Sequence, residues 1–365
     1  MKRSLIPLLL CASAGLTLSG CLKNVEYPIE GEPDTLTVLT EINSSDRNHV
    51  VILSLSRPEY IIATPGAEVS LSVNGHVYHG REIYDPSQAE DKEIIRKLNF
   101  FQATPYLIQA PVAPGDQIRL YARFQGHTAS SEATVPTPPE MVRVDTATVS
   151  KKTSYILFDV DTDFLEMAAT FRDIPRQNNF YMLNVTYRVE GVHHFLDEQG
   201  RKVRADSTSL VIDQGEYRTF DDEILDDGLS SIFNLSILEQ LLSLRHTHCF
   251  TDHLFKDKDA TVRVYLPDIR GFADKMRGIY YTTDASSAEY KTYIQLHLTS
   301  ITAEYYNYLR AINTMQVSGF SFLPVFEPTV LPNNIKGGIG VLGLGGDGIR
   351  SFALPEVEVV TGRVF

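Results

Sequence analysis

The chain has 365 residues and a formal net charge of −13, with 43% hydrophobic and 22% charged residues, 18 tyrosines, 18 phenylalanines and no tryptophan. That length carries two domains of ordinary size. An acidic balance argues against nucleic acid and against electrostatic adhesion to anionic lipid, since both need an excess of lysine and arginine.

The amino-terminal stretch MKRSLIPLLLCASAGLTLSGC has a basic tip (Lys2, Arg3), an apolar run from Leu5 towards Ala14, and then small residues. This is the layout of a secretory signal peptide over residues 1–20, and its apolar part is too short to span a bilayer as a helix. Leu18-Ser19-Gly20-Cys21 resembles the bacterial lipobox. That resemblance implies cleavage before Cys21 and acylation of its sulfur and new amino terminus, where two or three chains give a stable anchor. The alternative is an ordinary secretory peptide that ends beside a cysteine. Cys11 leaves with the signal and Cys21 carries lipid, so Cys249 is the one remaining thiol and no intrachain disulfide is expected. Losing Lys2 and Arg3 moves the formal charge from −13 to −15.

Residues 21–35 are polar, with Pro28 and Pro33, and read as a lipidated tether. Period-2 alternation then begins in LTVLTEI (36–42), HVVILSLS (49–56), EVSLSVNGHVY (68–78) and QIRLYARFQGHTASSEATV (117–135). Such runs, bounded by Asn-Gly and Pro-Gly pairs, predict antiparallel strands in an immunoglobulin-like β-sandwich over 36–136. AEDKEIIRKLNFF (89–101) reads as a helical turn or a charged loop. Pro136, Pro138 and Pro139 mark a boundary, because proline cannot donate to a sheet.

A larger β-rich region is expected over 140–365, with strands in MVRVDTATV, SYILFDVDT, EMAATFRDI, NNFYMLNVTYRVEGV, ATVRVYLPDI, KTYIQLHLTSI and ALPEVEVVTGRVF. Two short helices interrupt it. SSIFNLSILEQLLSL (230–244) is apolar on most sides, and TAEYYNYLRAINTM (302–315) starts at a plausible cap, Thr302, with Glu304 in its first turn. The fold class is therefore mainly β, with two sandwich-like domains.

Several stretches after the tether resemble a family of Bacteroidetes outer-membrane lipoproteins classed only as a domain of unknown function. They are APVAPGDQIRLYARFQGHTASSEATVPTPPE (110–140), FRDIPRQNNFYMLNV (171–185), FDDEILDDG (220–228), LTSITAEYYNYLRAI (298–312) and VLPNNIKGGIGVLG (330–343). Members are often encoded beside TonB-dependent, SusC-like receptors, so the resemblance implies place and partnership. It carries no catalytic residues to transfer.

Inside LPNNIKGGIGVLGLGGDGIR (331–350), Gly338-Ile339-Gly340-Val341-Leu342-Gly343 is a literal G-x-G-x-x-G. A dinucleotide site needs a helix opening on the third glycine and a second parallel strand beyond it. Here 22 residues remain after Gly343, and GLGGDG cannot start a helix. The glycines read instead as a bend between strands, with positive φ or a close approach to another segment.

RHTHCFTDH (245–253) gathers His246, His248, Cys249, Asp252 and His253 and is the best metal candidate, since alternate strand positions would share a face. A solvated loop is the competing reading, and no metal ligand is assigned. FDVDTDF (158–164) lacks the glycine and glutamate of a calcium loop and reads as a solvated strand edge. The acidic turn at 221–227 crowds carboxylates that suit calcium, or a plain polar turn. Nucleophile motifs are absent, so no catalytic residue and no cofactor is assigned. Seven tyrosines between Tyr280 and Tyr308 would form either a binding surface or part of the core.

These readings converge on a non-enzymatic lipoprotein of the outer membrane, facing the cell surface and tethered at Cys21. Its expected role is an accessory to a TonB-dependent receptor in nutrient uptake, with the ligand left open. The alternatives are an adhesin or fimbria-associated protein, and a metal-dependent hydrolase centred on His246, His248 and His253.

Overall fold

The computed structural model describes residues 34–57, 60–84, 91, 102–154, 159–197, 199, 201–212, 217–219, 222–225, 248–266, 287–319, 331–353 and 357–360. The architecture is mainly β and sandwich-like. In chain order the strands of the first part are β1 (Thr35–Asn43), β2 (Asn48–Ser56), β3 (Ile61–Ala63), β4 (Glu68–Val73), β5 (His76–His79), β6 (Arg81–Glu82), β7 (Thr104–Gln109), β8 (Gln117–Phe124) and β9 (His127–Thr134). The second part holds β10 (Glu140–Ser154), β11 (Asp159–Arg172), β12 (Phe180–Leu196), β13 (Lys202–Ile212), β14 (His248–Thr251), β15 (Asp259–Leu266), β16 (Ser287–Ile301), β17 (Gly338–Ala353) and β18 (Val357–Val360). One α-helix stands among the described residues, α1 (Ala303–Gly319).

Alternation in the sequence becomes burial on one face. In β1, Leu36, Val38 and Ile42 point inward, and Val51, Leu53 and Leu55 of β2 join them. They meet Val69 and Leu71 of β4 and Ile118 and Leu120 of β8 across the sandwich. Each such side chain contributes about 1.5–3 kcal/mol when fully buried. The facing layer is a four-stranded sheet in the order β5-β4-β8-β9. His49 lies in this layer's partner sheet and donates to the Ala110 carbonyl at 3.0 Å, and burial lowers its pKa.

A second core lies between a three-stranded sheet, β10-β11-β15, and the large sheet that contains β12 and β16. Met167 and Phe171 of β11 and Val262 and Val264 of β15 face Tyr181 and Val185 of β12 and Leu296 and Leu298 of β16. The Phe171 and Tyr181 rings meet edge to face with centroids 5.2 Å apart, a geometry that suits their quadrupoles. The strand expected at 158–164 ends as a solvated edge: Asp161 and Asp163 are exposed and pair across to β10 alone.

The two cores share one strand. Gly338 to Gly345 of β17 run parallel to β1, and Gly345 to Ala353 run antiparallel to β16. The first sandwich is thus completed by residues from far along the chain, not by 36–136 alone. The expected glycine-rich bend is absent; these glycines form one continuous strand of 16 residues. Close approach explains them. A Cβ on Gly340, where φ is +121°, would overlap the Val38 carbonyl, on Gly343 it would strike the Tyr305 ring, and on Gly346 the Pro136 carbonyl.

The helix expected at 302–315 is present as α1, and the Thr302 carbonyl accepts from Tyr306 N–H at 2.9 Å. The Thr302 hydroxyl, however, is buried without a hydrogen bond among the described residues, so it does not cap the helix as expected. The second expected helix (230–244), nearly all of 89–101, and Cys21 with the signal and most of its tether lie outside the described residues.

Replacing Gly340 by alanine is expected to cost about 3 kcal/mol or more, or to abolish folding, because backbone must move and φ is unfavourable. Gly66, also at positive φ but in open space, should lose about 1 kcal/mol on the same change. Urea denaturation of the two variants tests the difference; equal losses would remove the close-approach argument.

Candidate functional site

A polar cluster around Asp347 sits where the shared strand passes from one core to the other. Asp347 on β17 is 5% exposed in its side chain and accepts from three side chains. Its partners are His297 Nδ1 at 3.0 Å and Thr299 Oγ1 at 3.0 Å, both on β16, and Ser45 Oγ at 3.1 Å, from the turn after β1. Its own N–H donates to Ser44 Oγ at 3.2 Å, and Ser44 N–H donates to the Gly345 carbonyl at 2.9 Å. β16 alternates, so His297 and Thr299 stand on the face opposite the core residues Leu296 and Leu298.

One turn of the same surface away, α1 covers the sheet. Tyr305 and Tyr306 are buried against Met182, Ile301 and Val341. Tyr305 donates to Glu41 Oε2 at 2.8 Å, and Glu41 Oε1 accepts from Asn43 Nδ2 at 2.9 Å. Burial, and secondarily the Glu41 carboxylate, raises the Tyr305 pKa well above the ordinary value.

Chemically the His297–Asp347 pair has the acid–imidazole half of a relay. A nucleophile would have to bond to the imidazole. Ser45 bonds to the carboxylate instead, and His297 Nε2 is buried without a hydrogen-bond partner among the described residues. The cluster therefore acts as a clamp that fastens the β1–β2 turn, β16 and β17 together.

The residues singled out in the sequence disperse. His248 and Cys249 are neighbours on β14 and face opposite ways: His248 Nδ1 meets the Tyr217 hydroxyl at 2.9 Å, and Cys249 packs beneath α1. His253 is exposed, and His246 lies outside the described residues. Asp252 is 4% exposed and is consumed by Asn179, whose backbone N–H donates to it at 2.9 Å and whose Nδ2 donates at 3.2 Å. That Nδ2 also reaches Asp173 at 3.0 Å, and Tyr181 donates to Asp173 at 2.6 Å. These bonds lock the loop before β12 to the turn after β14. Among the described residues, no group of three or more His, Cys, Asp or Glu is placed to hold a metal.

The acidic turn has a structural use. Asp222 Oδ1 accepts from the N–H groups of Ile224 and Leu225, and its Oδ2 accepts from Arg263 N–H at 2.8 Å, which covers the open edge of β15. Asp221, Asp226 and Asp227 lie outside the described residues. Of the seven tyrosines, Tyr305 and Tyr306 are buried and Tyr293 and Tyr308 are half-buried, while Tyr280, Tyr281 and the side chain of Tyr290 are not described.

Residues 23–348 match the family model of a domain of unknown function, DUF4249. The chain belongs to this family. The DUF4249 match takes in both strands of the β1–β17 ladder and ends one residue past Asp347. No curated protein matches the sequence. Among solved structures, a DUF4785 family protein from Legionella pneumophila is similar at 7% identity and a TM-score of 0.21, over 73% of this chain and 52% of that one. The chain thus spans about half the length of that protein, and likeness at this level carries no argument.

The His297–Asp347 pair was not singled out from the sequence of this DUF4249 member. Its one signal was an aspartate inside a glycine run, where nothing but a polar partner justifies a buried charge.

Changing Asp347 to alanine should cost about 2–4 kcal/mol, since three donors lose a buried acceptor. Asp161→Ala, on the exposed edge, should cost under about 0.5 kcal/mol. Denaturant midpoints compare them. A pH dependence follows from the buried tyrosines. Tyr305 holds its proton in the folded state at a pH where the unfolded chain ionises, so stability is full below about pH 10 and falls above it. Tyr305→Phe should make that alkaline decline shallower by about 1.4 kcal/mol per pH unit, read by denaturant titration at several alkaline pH values.

Proposed function

We propose that the protein is a lipid-anchored component of the outer membrane, surface-exposed, and a non-enzymatic accessory of a TonB-dependent receptor in nutrient capture. The observation that carries this reading is Leu18-Ser19-Gly20-Cys21 behind a basic tip and an apolar run. β1 begins at Thr35, so a short polar segment links an acylated Cys21 to the folded body. The resemblance to Bacteroidetes lipoproteins encoded beside SusC-like receptors supports the partnership.

The architecture suits such a role. β17 alone is about 50 Å long at strand rise, and it carries the second core away from the end at which the tether enters. A protein anchored at one end and extended along one strand presents its far core to neighbours in the membrane. The same extension fits a surface adhesin, which is the second reading.

Cys21→Ala is expected to move the protein from the membrane to the soluble fraction and to abolish metabolic labelling with palmitate. Pull-down of the tagged, lipidated protein from mildly solubilised native membranes should recover a TonB-dependent receptor in near-equal amount. Recovery of copies of itself alone would favour adhesion. Membrane retention of the Cys21→Ala variant would remove the lipid anchor.

A further inference from the structure

We propose that the body stands on the membrane through a foot at the tether end, formed by Tyr60, Ile61 and Tyr84. This rests on the lipid-anchor reading above. Register places these residues. Thr35, the first residue of β1, pairs with Ser56 at the end of β2, and Ser56 pairs with Ile61 at the start of β3. Tyr60 and Ile61 therefore sit at the tip of the β2–β3 hairpin, beside the point where the tether enters. The Arg57 N–H closes that tip on the Tyr60 carbonyl at 2.8 Å.

Tyr84 arrives at the same end by another route. β6 pairs antiparallel with β7, and the Ile83 N–H donates to the Pro105 carbonyl at 2.9 Å. The next residue passes the Thr104 end of β7, which lies against Leu53 of β2. All three side chains are exposed: Tyr60 49%, Ile61 46% and Tyr84 73%. Ile339, at the start of β17 and paired with Thr37, adds a fourth exposed apolar residue at 44%. Large apolar residues gathered at one end of a body mark a contact surface.

The length of chain before Asp34 determines what the contact is. Residues 22–34 reach at most about 45 Å when fully extended and roughly 20 Å as a flexible coil. An acylated Cys21 thus holds this end within a short tether's reach of the bilayer. The tip is also tied to the tether itself. Arg57 Nε lies 3.0 Å from Asp34 Oδ2, while Arg57 Nη1 donates to the Tyr60 hydroxyl at 2.8 Å and the guanidinium stands 5.6 Å from the ring centroid. Arg57 and Asp34 balance each other, Glu59 adds a negative charge to the tip's sequence, and the body is acidic. Attraction to anionic lipid is therefore not the driving force. Tyrosine suits the headgroup layer by its apolar ring and polar end, and isoleucine by burial just beneath it.

The lipidated protein labelled with an environment-sensitive fluorophore at Ile61→Cys tests this in vesicles of phosphatidylethanolamine and phosphatidylglycerol carrying a lipid-attached quencher. Cys249 is buried and Cys21 acylated, so the label is selective. Val203→Cys, on β13 and 62% exposed, is the control. We expect the label at 61 to be quenched at least about twofold more than at 203, since interfacial residues sit about 5–10 Å into the headgroup boundary. Adding Tyr60→Ser should reduce that quenching while the denaturant midpoint holds. Co-flotation with equal quenching at both sites would overturn the foot and leave the anchor standing. A blue shift without lipid quenching would also overturn it, by giving the tip to a protein partner or a second copy. Failure to float would overturn both readings.

Discussion

One strand has to lie against a different neighbour on each half of its length, and the rest of the molecule is arranged around that demand. β17 runs parallel to β1 and then antiparallel to β16, with Gly345 paired to both. Its surroundings press from both faces: the Val38 carbonyl at Gly340, the Tyr305 ring at Gly343, and the Pro136 carbonyl at Gly346. A side chain at any of these would push apart elements that the two cores hold in place. Glycine weakens a strand by its own entropy, so a run of them is tolerated only where neighbours supply the stability. Here they do. Leu342 and Leu344 fill the first core and Val341 packs beneath α1.

The junction replaces side-chain packing with polar fastening. Glycine leaves β17 without apolar grip near Gly345 to Gly348, and Asp347 provides the grip instead by accepting from two elements at once. A buried carboxylate costs several kcal/mol unless donors surround it. It returns specificity: a one-residue slip of β17 would turn Asp347 from the His297 and Thr299 side into the second core, where no donor waits. The loop lock at Asp173, Asn179, Tyr181 and Asp252 uses the same logic at the start of β12. Both networks fix the register of long strands whose hairpins would otherwise be free to slide.

Much of this was legible in the sequence at the level of elements. Strand alternation around Leu36, Leu53, Leu71 and Leu120 translated directly into the first core, because period and burial are the same observation. The helix at 302–315 was legible from its start signals, Thr302 and Glu304. That the residues after Gly343 would not form a helix was also legible, and they continue β17. What the glycines do was not. A parallel partner 302 residues upstream leaves no local trace, and a glycine-rich run reads as a bend when its neighbours are unknown. The histidine cluster stayed open for the related reason that spacing along β14 does not reveal that His248 and Cys249 serve two different interfaces. Thr302 offered a cap by type, yet its backbone took the helical bond and its hydroxyl did not.

The shared strand also decides how the two cores can move. If each sandwich closed on its own, the proline segment at 136–139 would be a hinge, and the cores would turn about it as domains joined by a linker do. β17 denies that freedom. Bending at the junction would have to break ladder bonds to β1 or β16, tear Asp347 from its donors, and lift Pro136 from Gly346. Each of these contacts lies in a buried setting where lost bonds are not repaid by water. The body therefore transmits position as a stiff piece.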